Sequence, residues 1–524
     1  MRPKRVLIVD GYNDEPGGLG VPPYIDVYPR YIAGALWAAD KSIVVHYVTV
    51  DEFRSSSAWL KRAGAYDVVF FVAGVVVPGK YIGGKPASAE ELALWGSLID
   101  GPLKVLAGPA ARWGMGLEGG RAAYPPGYFK GRGFDVLVSG DPEEYAYELA
   151  LHGEDKASPY KVRENYDKVN RFAVLGARIV RYHPNLGKNL IAELETYRGC
   201  ARWVSGGCSF CVEPLRGRPI QRDPGAIVEE VAALYREGVR SFRLGRQADI
   251  LVYGSRELGL EEWPRPNPEA LERLFVGIRS SAPNLHVLHI DNVNPGTIAR
   301  HPKESEEALK VIVKYHTSGD VAALGIESVD PRVVKINNLK VTAEEALFAV
   351  ELINKVGSQR GPSGLPELLP GINFILGLPG ETKETYRMNR EFLEEILRRR
   401  LLVRRVNVRK LLVLSVTRVA KMDWGIDERT RGAAESFLHY VRQVFDKTML
   451  SMVAPRGTVL RDLWVEECLK EGYCYARQVG SYPLAVVIKG SYPRLQYLPA
   501  VVVKGVSSSR SVLGEPLPDS QRAL

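Results

Sequence analysis

Cys200, Cys208 and Cys211 are three of only five cysteines in the chain, and all three fall in one short loop. Thiolates gathered in this way bind metal. Three of them can hold three irons of a 4Fe-4S cluster and leave the fourth iron open to an outside ligand. An open position does chemistry, whereas a fully ligated one holds structure. Zinc is the alternative, but a zinc site ordinarily takes a fourth protein ligand, and His183 and His286 lie far from the loop in sequence. Gly199, Gly206 and Gly207 let the backbone turn tightly and approach a bound group closely. Phe210, just before the last cysteine, is placed to pack against a cluster or a flat ligand.

The elements that must carry this loop alternate strand with helix. From Ile191 onward, apolar runs at Ile191–Tyr197, Ser241–Gly245, Leu285–Ile290, Val321–Ile326, Ile372–Leu376 and Val406–Val413 are separated by helical stretches such as Thr342–Val356 and Thr382–Arg400. Asp223 and Pro224 open the first of these helices as N-cap and first-turn proline. Six such repeats predict a parallel, partial (β/α)6 barrel over 191–430 with its site at the carboxyl ends of the strands. The cysteine loop follows the first strand, at that end.

Ahead of it, short apolar strands at Arg5–Asp10, Val44–Val50, Asp67–Ala73, Leu103–Gly108 and Phe134–Gly140 predict a doubly wound α/β domain over 1–155. Its first strand leads into Asp10, Gly11, Tyr12 and Asn13 at the rim where ligands of such sheets bind. No GxGxxG phosphate fingerprint is present there. Residues 156–190, of mixed charge, read as a linker. The stretch 431–505 reads as helical and then β-rich, and 506–524 as a disordered tail.

The ending Cys208-x-Phe210-Cys211, with a third cysteine upstream, resembles the cluster loop of the radical S-adenosylmethionine superfamily. That superfamily's commonest spacing is C-x3-C-x2-C; here seven residues separate Cys200 from Cys208. Two further stretches resemble it. Gly325–Asn337, with Glu327 and Ser328, is similar to the segment that reaches the ribose and amino-acid end of the cofactor. Gly371–Thr382, with Gly377, Gly380 and Glu381, is similar to the fifth-strand segment that meets the adenine. The resemblance implies an enzyme that holds a 4Fe-4S cluster through Cys200, Cys208 and Cys211 and reductively cleaves S-adenosylmethionine to a 5′-deoxyadenosyl radical. S-adenosylmethionine and an electron donor are then its expected partners.

The close of the first domain, Asp135–Glu144, resembles the end of the cobalamin-binding-type domain that precedes many such barrels. The lower-ligand motif D-x-H-x-x-G is absent, which leaves cobalamin doubtful as a cofactor, and His46 lies inside a strand pattern. The whole arrangement is similar to an archaeal-type group that usually ends in a helix-hairpin-helix; no such ending is seen in 506–524.

Strand-end polar residues, Arg243 to Asp249 after the second barrel strand and Asp291 to Asn294 after the third, are further site candidates. The net charge is +9, from 70 Lys and Arg against 61 Asp and Glu, which favours an anionic partner. With Arg216, Arg218, Arg222, Arg243 and Arg246 expected near the loop, an RNA base is favoured over a small metabolite as substrate, with its phosphates on these arginines, although such a group serves a phosphorylated small molecule or a solvated face equally well. The competing class is a non-enzymatic RNA-binding protein with a structural metal site. Cys468 and Cys474 read as packed or exposed thiols, because no histidine accompanies them and five cysteines make no disulfide framework. The lack of a long apolar window or a signal peptide predicts a cytoplasmic protein with no membrane partner.

Overall fold

The computed structural model describes residues 2–15, 18–19, 21–75, 83–116, 118–469 and 472–518. Its first layer is the expected doubly wound sheet, all parallel. In spatial order the strands are Val44–Thr49, Arg5–Asp10, Val68–Val72, Leu103–Ala107 and Val136–Leu137. Both faces are buried: along the first strand, Val6 and Ile8 join one apolar core while Leu7 and Val9 join another. That is why these strands read as unbroken apolar runs.

The stretch expected as a linker instead contains the helix Asp167–Gly176, which packs on the helix Val27–Ala39. Gly34 and Gly176 permit the contact. A Cβ on Gly34 would stand 1.8 Å from the Phe172 carbonyl oxygen, and one on Gly176 would stand 1.9 Å from that of Arg30. The first domain also lends a strand to the second, since Tyr24–Ile25 pairs in parallel with Ile191–Glu195.

From Ile191 the strands form a partial barrel. Ile191–Glu195, Ser241–Gly245 and Val287–Ile290 lie side by side in one sheet, and Asn292–Val293, Asp320–Glu327, Leu368–Leu376 and Arg405–Lys410 in the next. The third strand breaks at Asp291 as it passes from one sheet to the other.

Helices over Glu428–Val453 lead to a closed five-stranded barrel. Its strands are Val459–Leu469, Tyr473–Gln478, Ala485–Lys489, Tyr497–Val506 and Ser511–Pro516, in spatial order first, second, third, fifth, fourth, with the third and fifth parallel. The fifth strand lies in the stretch expected to be a disordered tail; pairing on both sides orders it. Cys468 and Cys474 are cross-strand partners at the first hairpin and form a disulfide, where two thiols were expected. Among the described residues no helix is long and apolar enough to cross a membrane.

Candidate active site

The cysteine loop leaves the first barrel strand through a two-residue ladder, Tyr197–Arg198 against Ile220–Gln221. Its turns use left-handed backbone at Gly199, Gly206 and Gly207, with φ of 94°, 79° and 61°, conformations that glycine adopts without strain. Neighbouring segments then pin it. Ser209 donates its backbone N–H to the Asn337 carbonyl at 3.0 Å and its hydroxyl to Asn337 Oδ1 at 2.8 Å. Asn337 Nδ2 in turn donates to the Pro379 carbonyl at 2.9 Å, which joins the loop to the Gly377–Gly380 turn. Asn338 Nδ2 donates to the Gly207 carbonyl at 2.9 Å, and the Arg418 guanidinium donates to the same oxygen.

The three thiols line one wall of a cavity of about 260 Å³. Burial pushes the Cys200 thiol up to about 11 and holds that of Cys211 well above its ordinary value. Such thiols ionise when a metal cation is at hand to offset the burial. Arg202 donates to Cys208 Sγ at 3.3 Å and to the Asn338 carbonyl at 2.9 Å. Among the described residues, no three His, Cys, Asp or Glu side chains gather as a single-ion site. The thiols instead border an open space, a donor set that fits a cluster better than a zinc ion.

Phe210 and Glu327 line the same cavity. Glu327 ends the fourth strand at φ 68°, beside a register shift, so its carboxyl leaves the sheet plane and enters the cavity. Burial pushes it up to about 7, against the pull of Lys340 and Arg409. Lys340, also in the cavity wall, donates to the Gly325 carbonyl at 3.1 Å.

Ser328, Gly377, Gly380 and Glu381 are not among the residues that line this cavity. Ser328 is buried and donates to Asn389 Oδ1 at 3.4 Å, bracing the following loop. Glu381 folds back on its own turn: Oε2 accepts from the Gly377 N–H at 2.7 Å and from the Tyr386 hydroxyl at 2.5 Å.

The remaining polar lining comes from many elements. It includes Gln247, Asn292 and Asn294 after the second and third strands, Asn373 and Asn407 on the fifth and sixth, and Arg409. Asn407 Nδ2 donates to Asn373 Oδ1 at 3.3 Å. The last contributor is Tyr482, from the C-terminal barrel. The loop after its second strand enters the catalytic barrel from the side: the Ser481 N–H donates to His289 Nδ1 at 2.8 Å, and the Tyr482 hydroxyl donates to Asp291 Oδ1 at 2.9 Å. Tyr482, Asn373 and Asn407 are not marked as site residues by the sequence, because nothing in their local spacing makes them neighbours. Asp291, Asn292, Asn294 and Gln247, flagged as strand-end residues, do meet here.

The arginines expected to receive phosphates are, with one exception, turned inward. Arg243 lies buried between Glu193, at 3.1 Å, and Asp291, at 2.5 Å. Arg222 pairs with Glu230 at 2.6 Å, and Arg216 with Glu213 at 3.1 Å. Arg246 is buried beside Tyr28, whose hydroxyl it reaches at 2.8 Å. Only Arg218 of the five is exposed. The barrel interior required these cations as partners for its own carboxylates, because an unpaired buried charge is costly.

In the first domain, the rim after the first strand is filled by its own chain. The Gly11 N–H donates to the Val72 carbonyl at 2.7 Å, and a Cβ there would stand 2.8 Å from that oxygen. His46 hydrogen-bonds the Tyr66 hydroxyl at 2.8 Å on the edge strand.

Comparison with known proteins adds three findings. The sequence profile of the radical SAM superfamily matches residues 194–393. The protein MJ0274 of Methanocaldococcus jannaschii is 45% identical over 487 residues, which span 92% of this chain and 88% of the relative. An Archaeoglobus fulgidus protein is 41% identical over 507 residues, 95% of this chain and 88% of its own. Among solved structures, the radical S-adenosylmethionine methyltransferase TsrM from Kitasatospora setae, with cobalamin and a 4Fe-4S cluster bound, covers 80% of this chain and 77% of its own length. Its TM-score is 0.51 at 16% identity, a likeness of fold.

Proposed function

Because this chain belongs to the radical S-adenosylmethionine superfamily, we propose that Cys200, Cys208 and Cys211 hold its cluster and that the cavity they border is where substrate loses hydrogen. The protein is an enzyme, and its cofactors are a 4Fe-4S cluster and S-adenosylmethionine. When bound, they supply reductive cleavage of the sulfonium to methionine and a 5′-deoxyadenosyl radical, with the electron coming from an external donor. A non-enzymatic RNA-binding protein is thereby set aside.

The observation that carries the reading is a single cavity lined both by the three thiols and by amides, Arg409 and Tyr482. Arg202 and Lys340 offset the negative charge that three thiolates bring. Phe210 gives the thiol side an apolar surface. Glu327 offers a carboxylate to hydroxyl or ammonium groups of the cofactor, while Gly377, Gly380 and Glu381 act at one remove by shaping the turn to which Asn337 ties the loop. Ser328 braces the same region.

The polar lining binds a polar group. Amide side chains offer donors and acceptors together, which suits the edge of a base or another planar amide-like group. The Arg409 guanidinium acts on Glu327 through its charge but makes no side-chain hydrogen bond or ion pair with any described residue, so it can receive an anionic substituent. An RNA base is one occupant of this kind, although the phosphate contacts first assigned to Arg243 and Arg246 are lost to their internal partners. A reducing cytoplasm suits the free loop thiols. Cobalamin is not part of the proposal.

Anaerobic reconstitution should give about four irons per chain, and reductant with S-adenosylmethionine should then yield 5′-deoxyadenosine. A preparation that takes up one zinc and no iron would overturn the assignment.

A further inference from the structure

We propose that the cleft between the base of the catalytic barrel and the first strand of the C-terminal barrel binds a nucleotide unit, an aromatic base carrying a phosphate. The site is separate from the cysteine cavity, and the proposal does not depend on the chemistry assigned there.

Two cavities, of about 470 and 710 Å³, share Arg461 in their walls. The smaller is walled on one side by Trp464 and Tyr497, cross-strand partners on the first and fourth strands of the C-terminal barrel. Their rings lie 5.3 Å apart at 56°, and Tyr497 remains 44% exposed. The opposite side comes from the catalytic barrel, at His286, Ser318 and Ser363. Trp464 is half-buried and Val287, Leu365 and Pro483 add apolar lining, so the pair forms a concave, largely apolar surface on which a flat ring can stack.

The larger cavity supplies positive charge. Arg360, Arg456 and Arg461 line it, and no carboxylate does. Arg360 is engaged, donating to the Val453 carbonyl at 3.1 Å and to the Gly364 carbonyl. Arg456 and Arg461 make no side-chain hydrogen bond or ion pair with any described residue. Among the described residues Asp462 is the single carboxylate lining either space, and the Tyr497 hydroxyl donates to it. Its remaining acceptor capacity suits a base amino group or a ribose hydroxyl and would repel a phosphate, which directs the anion to the arginines. Aromatic surface and unneutralised guanidinium therefore adjoin, and the ligand that matches both has a π-face and an anionic group a short distance away. A free nucleotide and one unit of a single strand share this chemistry. Five-stranded Greek-key barrels host oligonucleotide sites, but the location here follows from the side chains alone.

The test uses the full-length, anaerobically reconstituted protein with two probes: AMP, and a labelled single-stranded uridine oligomer of about twelve nucleotides. Binding is read by fluorescence anisotropy and by quenching of tryptophan emission. Oligomer binding that AMP does not displace identifies a strand; displacement by AMP, with no gain from added length, identifies a free nucleotide. For an oligomer, Arg456→Gln with Arg461→Gln should lower the slope of log K against log salt by roughly 1.4, about 0.7 per lost phosphate contact on a single strand. Trp464→Ala should weaken binding by roughly 5- to 150-fold, the range for one lost stacking contact, and Trp464→Phe should restore most of it. The arginine variants alter side chains with no structural partner, so they remain informative if Trp464→Ala fails to fold. Absence of binding by both probes at about 50 mM salt, or affinity unchanged in the double arginine variant, would overturn the proposal.

Discussion

The two walls of the catalytic cavity are built in opposite ways. The thiol wall comes from one loop, whose three cysteines fall within twelve residues of sequence and which is held by Asn337, Asn338 and Arg418. The other wall, the polar lining, is gathered from the ends of several strands and from a loop of a different domain, which brings Tyr482. One wall is a local object that the rest of the protein steadies, and the other exists only through topology. The first should therefore fail by losing its ligand, the second by losing its shape.

The largest expected effect tests that distinction. Cys208→Ala should abolish iron retention and with it all formation of 5′-deoxyadenosine. Tyr482→Ala should leave the iron content and cluster absorbance intact while reducing conversion of the natural substrate, once that is known. A Tyr482→Ala protein that also loses its cluster would show the two walls to be one unit.

Next in size is the tie between the thiol loop and the first domain. Asp141, just past the last strand of that domain, accepts from the Arg163 N–H at 2.8 Å and from Arg112 at 3.2 Å, and it pairs with Arg198, two residues before Cys200. Burial would push Asp141 up, but Arg198, Arg163 and Arg112 outweigh it and hold the carboxyl well below its ordinary range. Asp141→Ala leaves buried guanidinium groups without their anion and should cost about 3–5 kcal/mol in chemical denaturation of the protein. A loss under about 1 kcal/mol, the surface-pair range, would mean that the network does not bear on stability.

A pH experiment separates the first domain from the cavity. Asp10 is buried at the rim and pushed up to about 7 from 3.8, burial outweighing its hydrogen bonds from the Tyr47 hydroxyl and the Tyr12 N–H. Because its folded value lies above its unfolded one, the stability it contributes is complete below about pH 4 and is withdrawn as pH rises towards 7. For this single group the change is on the order of 4 kcal/mol at most. Asp10→Asn should flatten that part of the stability curve, and an unchanged curve would show that Asp10 titrates normally.

These residues also show what was readable in advance. The strands of both parallel units were legible because burial on two faces writes them as unbroken apolar runs, and the cysteine loop because rare residues were clustered. The helix Asp167–Gly176 was missed because its buried residues, Val169, Phe172 and Ala173, sit among charges that face solvent. The strand Ser511–Pro516 is short and polar in part, and only its two neighbours define it. The inward turn of Arg243 was hidden for a related reason: its partners, Glu193 and Asp291, lie on other strands, and strand order decides their meeting.

The smallest expected effect belongs to the third thing that sequence left open, the pairing of Cys468 with Cys474. Their separation of six residues closes only a short loop, so the bond removes little chain entropy from the unfolded state. The chain-entropy relation gives about 2 kcal/mol for a loop of this size, less any strain the bond brings to the folded hairpin. Changing both residues to serine should lower stability by that amount or less, measured by denaturant unfolding under oxidising conditions, and should make no difference once a reductant has opened the bond in the parent protein. Iron content should be equal in the two proteins, because neither sulfur lines the cysteine cavity. A serine variant that loses iron would place the C-terminal barrel in control of the thiol wall as well as the one it supplies through Tyr482.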